Sequence, residues 1–229
     1  LERKGIPATF FINTEFVDNK ALFYRYKVSL LIEKISKEDV SRIKLSTYLG
    51  INENNLEELR DRLLSLNYSD TQEIDRMATM LALDYTEYLN VNQPYLSKNQ
   101  LKQLIEKGFS IGSHSLNHPL FKDIDIKEKK RQITESFHYL EKELNIKDYY
   151  FSFPFSDESV ECDFFDWLYK DANCKLSFGI SGLKHDFTKY HLHRIPFEQQ
   201  TTSVQNIVKG EYLYYIIKSI FNKNIIDRK

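Results

Sequence analysis

The amino-acid sequence predicts an α/β fold in which helices alternate with buried strands, interrupted by a purely helical segment. A helix end, a glycine and an apolar strand follow one another twice, at residues 1–13 and 97–113. Between residues 20 and 91 no convincing strand pattern occurs. Later strand patterns lie at residues 149–155, 175–180 and 191–197. This alternation predicts a parallel sheet, open or closed into a barrel, with sites at the carboxyl ends of the strands.

The first residues resemble the last turn of a helix. Arg3 and Lys4 are basic residues near a helix end, and Gly5 stands where a C-cap is expected. A continuous apolar run at residues 8–13 then predicts a buried strand. Because this helix has no beginning, we expect the sequence to start inside a repeating unit.

The same order recurs before the second strand. Ser97 predicts an N-cap, with Gln100 three residues later, and Gly108 ends the helix. Residues 109–113 follow as a strand. A further helix is predicted from the spacing of its apolar residues, which are Ile133, Phe137, Leu140 and Leu144.

Residues 20–91 predict a helical insertion into a domain made of residues 1–19 and 92–229. Two apolar faces mark its helices: Leu56, Leu59, Leu63 and Leu66 form one, and Ile74, Met77, Ala78, Leu81 and Tyr85 form the other. Asp70 and Glu73 suggest a capping box before the second face. A last helix, predicted at residues 203–221, is expected to pack against the body of the domain.

Composition excludes several classes of protein. The 229 residues are 41% hydrophobic, enough for one large domain or a domain with an insertion. A net charge of -1, from 32 basic and 33 acidic residues, gives no global field that attracts nucleic acid or an anionic membrane. Cys162 and Cys174 form no C-x-x-C pair and are predicted to be free thiols. No apolar run is long enough to span a membrane, and residues 1–5 do not resemble a secretory signal.

Two histidines, His114 and His118, lie four residues apart directly after the strand at 109–113. If the backbone between them turns, both imidazoles can reach one metal ion. Ser115 follows the first histidine, so the H-E-x-x-H pattern of zinc proteases is absent. Chance placement at a surface or cap is the alternative for such a pair. The strand before it favours a site.

A second pattern, Y-Y-F-S-F-P-F-S-D at residues 149–157, predicts a strand that Pro154 ends. Backbone N–H groups just beyond such a turn can face a ligand. A plain strand end with aromatic packing is the alternative.

Three stretches together resemble the polysaccharide deacetylase family, also called the NodB-homology domain or carbohydrate esterase family 4. They read T-F-F-I-N, then G-F-S-I-G-S-H-S-L-N-H-P, then F-S-F-P-F. The second is similar to the H-[ST]-x-x-H-P metal motif of that family. The resemblance covers residues 1–19 and about 92–200, and it implies a distorted (β/α) barrel.

The resemblance also implies chemistry. A divalent metal, usually zinc, would be bound by His114, His118 and an aspartate, and it would assist the removal of acetyl groups from a glycan. The third family motif, usually R-x-P-[FY], aligns with residues 152–155. The backbone N–H of Phe155 would then stabilise the oxyanion, while Ser152, Pro154 and Arg194 would border the substrate.

Two departures stand out. In the family, a Thr-Phe-Asp-Asp-Gly motif supplies both the catalytic base and the aspartate ligand. This motif is not in the sequence. We expect it before Leu1, which would also leave the barrel without its first strand. Ser152 stands where the family usually has arginine. Asp157 is a candidate substitute ligand.

The last family motif often carries a histidine that acts as general acid. On a strand, His191 and His193 share a face while Leu192 points away. Either histidine is a candidate for the acid, His193 being preferred, although a hydrogen-bonded histidine near a strand end is the ordinary alternative. Arg194 is an alternative inward-facing residue.

Two functions follow. One is a metal-dependent glycan deacetylase, a hydrolase of acetyl amide or acetyl ester bonds, impaired where the aspartate motif is lacking. The other is a catalytically inactive relative that binds carbohydrate or acts as a scaffold. No nucleic-acid partner is expected, and the sequence leaves the sugar, the localisation and the oligomeric state open.

Overall fold

The computed structural model describes residues 1–198 and 202–228. The chain divides into two compact units. One, here called the sheet unit, consists of Leu1–Thr14 and Lys98–Lys229, and the other, here called the helical unit, is Glu15–Ser97. That residues 20–91 are an insertion into a deacetylase-like domain stays a prediction.

The sheet unit alternates strands and helices. Its described strands are β1 (Thr9–Ile12), β2 (Ser110–Ser113), β3 (Tyr149–Ser152), β4 (Cys174–Gly179), β5 (His185–Asp186), β6 (His191–His193) and β7 (Ile225–Ile226). Its described helices are α6 (Lys98–Glu106), α7 (Ile126–Leu144), α8 (Cys162–Lys170) and α9 (Val204–Ile220), numbered after the five helices of the helical unit. Short 3-10 turns cover Glu2–Lys4, Thr14–Asn19, Tyr68–Asp70 and Phe121–Asp123.

Five strands form one parallel sheet in the order β1-β2-β3-β4-β6. The predicted α/β class with a parallel sheet is therefore confirmed. Two short strands, β5 and β7, pair separately. In the part of the chain that the structure describes, β1 and β6 are the sheet's edges, so closure into a barrel and the loss of a first strand stay predictions.

The sheet is strongly curved. The ring of Phe11 on β1 contacts that of Phe178 on β4, with 5.3 Å between centroids, although two strands separate them in the sheet. Gly112 makes room for this contact, because a Cβ atom there would lie 2.6 Å from the Phe11 ring. Phe11 itself is only half-buried, unlike the buried strand that its apolar run predicts, because β1 lies at an edge.

Helices cover the sheet with an apolar core. Helices α6 and α7 pack on β2, and α8 packs on β4. The four predicted core residues of α7, from Ile133 to Leu144, are all buried, as expected. Phe151 of β3 and Phe153 just after it are completely buried against Phe121. This aromatic packing fixes the carboxyl end of β3.

The helical unit contains α1 (Tyr24–Lys37), α2 (Asp39–Leu49), α3 (Leu56–Leu64), α4 (Thr71–Met80) and α5 (Tyr85–Asn92). Its core is mainly aliphatic, and all nine residues of the two predicted faces lie in it or against it. Two details differ. Asp70 accepts from the backbone of Asn67 and caps the 3-10 turn, not α4. Tyr85 begins α5, because α4 ends at Met80 and Ala82 has a positive φ of 50°.

Two predicted strands are shorter than expected. β3 ends at Ser152 because Pro154 and the positive φ of Phe155 (56°) turn the chain, and β6 ends at His193. Both cysteines are free, as predicted. Among the described helices, none has the length and apolar content that crossing a bilayer requires.

Candidate functional site

The carboxyl ends of β1, β2 and β3 lie side by side and carry polar groups. Ile12 pairs with Ser113, and Ser113 pairs with Phe151, so the next residues along each strand meet at one edge. Asn13 donates through Nδ2 to the backbone oxygen of His114. His114, the first predicted metal ligand, thus lies at the carboxyl end of the strands, where parallel sheets form their binding sites.

The two histidines meet across a tight turn. His118 Nε2 lies 3.2 Å from His114 Nε2, and the rings are edge to face. The backbone between them is not helical, since Ser115 and His118 have φ values of 75° and 66°. Residues held in this left-handed region cost about 1–3 kcal/mol each and cluster at functional sites. The surrounding structure must hold this turn in place.

That support comes from buried polar side chains. Ser115 Oγ accepts from the backbone N–H of His118 at 2.9 Å. The Oε1 atom of Gln132, a completely buried residue of α7, accepts from the N–H groups of Leu116 and Asn117 at 3.1 and 3.2 Å. Sequence reasoning missed Gln132, which lies on the core side of α7 one residue before Ile133. A buried amide on an apolar helix face was the available signal.

The histidine pair fits a divalent metal ion. His114 Nδ1 lies 2.7 Å from the carbonyl oxygen of Ser152. A carbonyl only accepts, so Nδ1 carries the proton and Nε2 presents its lone pair towards His118. Zinc–nitrogen bonds of about 2.0–2.1 Å at a tetrahedral angle place two nitrogens about 3.3 Å apart. The 3.2 Å between the Nε2 atoms matches that spacing.

Electrostatics keep His114 in the form that binds metals. Burial, and then the positive charges of His118 and Arg194, lower the pKa of His114 to about 3, although the Ser152 carbonyl acts in the opposite direction. Near neutral pH the ring is therefore neutral, which is the form that coordinates metal ions.

The turn at residues 152–155, predicted to donate to the oxyanion, lies against the histidine pair. The Phe155 ring contacts the His118 ring edge to face, at 4.6 Å between centroids. Ser152 and Pro154 are buried beneath the turn. Ser152 reaches the pair through its carbonyl, and its hydroxyl makes no hydrogen bond. Direct contact of Ser152 or Pro154 with substrate stays a prediction, which their burial does not favour.

A second polar cluster occupies the ends of β4 and β6. Asp157, Asp186, His191 and His193 each offer a ligand atom within 4.8 Å of the others, which makes the cluster a second candidate metal group. Arg228 joins them: its guanidinium donates to Asp157 and, at 2.6 Å, to Asp186. We call these five residues the Arg228 network. Arg228 already supplies part of the positive charge that a metal ion would bring to the two carboxylates.

Both histidines of the network are fully engaged. His191 Nε2 lies 3.1 Å from Asp157, and its Nδ1 lies 2.6 Å from the hydroxyl of Ser177. His193 Nε2 lies 3.1 Å from Asp186, and its Nδ1 accepts from the N–H of Ser181. The two imidazoles lie on one face, as predicted, with rings 4.8 Å apart. Their role as general acid stays a prediction.

The carboxylates of the network stay ionised. Burial opposes their charge, yet hydrogen bonds from His191 and Arg228 hold the pKa of Asp157 well below its usual range. Burial also opposes the charge of Asp186, but hydrogen bonds from His193 and Arg228 hold the pKa of this carboxyl well below its usual range. Asp157, the candidate substitute ligand, thus lies in this network and not beside His114. Sequence reasoning missed Asp186 and Arg228, which no short motif marks.

Arg194 follows β6 and connects the two clusters electrostatically. Its backbone N–H and its Nε both donate to the carbonyl oxygen of Gly179, at 3.0 and 3.2 Å. Its charge acts on both His114 and Asp157, so the guanidinium lies within electrostatic range of the two. Contact between Arg194 and substrate stays a prediction.

This fold and this edge of the sheet define an α/β protein with paired imidazoles at a strand end. A family model described as polysaccharide deacetylase matches residues 1–164, more than half of the chain. The chain belongs to the polysaccharide deacetylase family. The matched range includes His114, His118 and the turn at 152–155, and it ends before Asp186 and Arg228. Neither the curated proteins nor the solved structures gave a match.

Proposed function

We propose that the chain binds one divalent metal ion, preferably zinc, through His114 and His118. We also propose that it removes acetyl groups from a polysaccharide or oligosaccharide. Membership of the deacetylase family supports the reaction class. The observation that carries the proposal is the convergence of the two Nε2 atoms at 3.2 Å, with His114 oriented by the Ser152 carbonyl.

The proposed roles follow from position. When bound, the metal ion supplies a Lewis acid for the acetyl carbonyl and lowers the pKa of a water molecule. Ser152 holds the tautomer of His114, and Ser115 holds the turn that brings His118 to it. The N–H of Phe155 donates to the acetyl oxygen as negative charge develops there. His193 is the candidate that protonates the leaving group, and for this it must release Asp186 or Ser181.

The proposed site lacks the two carboxylates that serve the family as catalytic base and metal ligand. The 229 residues hold no Asp-Asp pair after a strand like that of the family motif. Asp157 cannot replace it while bonded to Arg228 and His191. We therefore propose that these 229 residues hold the metal less tightly than a complete site and hydrolyse substrate slowly.

Metal content separates the histidine pair from chance placement. After equilibrium dialysis against excess zinc, we expect close to one bound zinc per chain by elemental mass spectrometry. A chain with His114→Ala and His118→Ala should lose it. The matched control replaces two exposed histidines, His138→Ala and His185→Ala, and should keep it. Equal zinc in all three proteins would refute the proposed site.

Acetate release from acetylated glucosamine oligomers tests the reaction. A zinc-dependent rate that the double histidine variant lacks supports the deacetylase. The absence of the Asp-Asp pair favours a second candidate function, an inactive relative that binds carbohydrate or acts as a scaffold. Zinc binding with no acetate release, together with retention on an immobilised glycan, would favour that second candidate.

A further inference from the structure

Helix α9 is unusual because no residue in it is fully buried. The side that faces the sheet unit carries polar groups: Glu211 accepts from the backbone N–H of Leu183 at 2.9 Å, and the Tyr215 hydroxyl accepts from Asn224 at 3.3 Å. The sequence predicts that this stretch packs as a terminal helix; in the structure α9 contacts the unit through half-buried residues, and most of its apolar side chains are exposed. Polar contacts hold this side of α9 on the unit.

The opposite side of α9 is apolar and faces solvent. Five side chains follow the i, i+3, i+4, i+7, i+8 spacing that a helix uses to face a core. Their exposed fractions range from 47% for Ile217 to 72% for Ile220. We call this set the α9 stripe: Leu213, Ile216, Ile217, Ile220 and Phe221. A contiguous apolar surface of this kind marks an interaction site.

Amphipathic side chains border the stripe. Tyr212 and Tyr214 lie on its two flanks by helical geometry, and both are about half exposed. The ammonium of Lys218 lies over the Tyr214 ring, 4.9 Å from its centroid. Tyrosine is favoured where one end of the side chain is apolar and the other is wet, as at the boundary between acyl chains and headgroups.

The charged residues of α9 and of the segment just after it are mainly basic. Glu211 is the only acidic residue in α9, and it is turned towards Leu183. Lys209 precedes the stripe and Lys223 follows it, both exposed. A second copy docked on the stripe would bring lysines together without carboxylates to match them, which disfavours a symmetric pair. The phosphates of a lipid surface match them.

We propose that the α9 stripe inserts into the interface of an anionic phospholipid bilayer, with α9 lying in the membrane plane. Aliphatic side chains then enter the acyl boundary, the tyrosines lie at headgroup depth, and the lysines contact phosphate. A bilayer requires no complementary groove, so a convex helix suffices. The site is a peripheral anchor for the sheet unit and does not depend on the proposed metal chemistry.

Vesicle sedimentation tests the anchor. The 229-residue chain is mixed with vesicles of phosphatidylglycerol and phosphatidylcholine in equal parts, and the bound fraction is measured. An Ile217→Ser, Ile220→Ser variant should bind about tenfold more weakly or worse, because two inserted aliphatic side chains are lost. The control, Val40→Ser with Val91→Ser, removes two exposed aliphatic residues elsewhere and should bind like the wild type.

Charge provides an independent arm. Lys209→Gln should weaken binding to the mixed vesicles about fivefold, since one lysine near an anionic surface contributes about 1 kcal/mol. On pure phosphatidylcholine, wild type and Lys209→Gln should bind equally and weakly. Circular dichroism shows whether each variant is folded. Because all the substituted positions are exposed, we expect every variant to fold.

Three results would overturn the anchor. They are no sedimentation of the wild type with mixed vesicles, equal sedimentation of the stripe variant, and a dimer by light scattering that only the stripe variant loses while vesicles bind neither protein. The last result would assign the stripe to a second copy.

Discussion

The histidine pair and the Arg228 network lie at the same edge of one sheet, yet they differ in how their charges are balanced. In the network, one guanidinium is shared by two buried carboxylates. In the pair, the two Nε2 atoms converge at a spacing that suits a metal ion. The difference teaches that a cluster of ligand types is a binding site only where the protein has not already supplied the opposing charge.

The largest expected effect concerns the cation of the network. Arg228→Met leaves Asp157 and Asp186 buried without their guanidinium, and breaking such a pair costs about 3–5 kcal/mol. Urea unfolding measures the loss. The control Arg76→Met breaks the pair of an exposed arginine with the partly exposed Glu73 and should cost less than about 1 kcal/mol. Similar losses in both variants would mean that the network is a surface-like cluster and not a structural centre.

The next expected effect concerns the packing of the network. A Cβ atom at Gly179 would lie 2.3 Å from Asp157 Oδ1 and 2.6 Å from His193 Nδ1. Gly179→Ala should therefore cost about 1–3 kcal/mol. The control is Gly210→Ala in α9, where nothing lies within 4 Å of the new atom.

Gly210→Ala should instead stabilise the protein by about 0.5–1 kcal/mol, because alanine favours a helix over glycine. Thermal and urea unfolding of both variants give the two signs. If both variants are stabilised, the contacts around Gly179 are looser than the distances imply.

The last expected effect is a change of stability with pH that comes from the histidine pair. The pKa of His114 is about 3 in the folded chain and about 6.5 when unfolded. Between these values the unfolded chain binds the proton and the folded chain does not, so stability falls as pH falls. The contribution is at most about 1.4 kcal/mol per pH unit.

His114→Gln removes this contribution. With a chelator present, its free energy of unfolding should fall less steeply than that of the wild type from pH 6.5 to pH 4.5. His138→Gln, at an exposed position of α7, should run parallel to the wild type. Parallel curves for all three proteins would show that the folded chain does not disfavour the charged form of His114.

Local pattern was enough for much of the fold. The apolar spacing of α7 and the apolar runs at β1 and β2 predicted these elements correctly, although β1 is less buried than its run predicts. The capping of α4 by Asp70 was not predicted correctly, because the backbone N–H of Asn67 donates to the Asp70 carboxylate instead. Competition between adjacent hydrogen-bond partners is decided by geometry.

The site divides in the same way. His114 and His118 were identified because the strand before them and the proline after them are local features. Gln132 and Ser115, which hold their turn, were not identified, because a buried amide gains its partner only when α7 packs on β2. Asp186 and Arg228 are 42 residues apart in the chain and meet only after folding.

The sequence by itself determined the α/β class, the position of the histidine pair and the family resemblance, since each depends on residues close together in the chain. Only the tertiary structure decided the convergence of the imidazoles, the neutralisation of Asp157 by Arg228 and the outward face of α9. These depend on contacts between distant segments. Burial and charge balance belong to the assembled structure, because a side chain's dielectric surroundings and partners exist only after the helices have packed on the sheet.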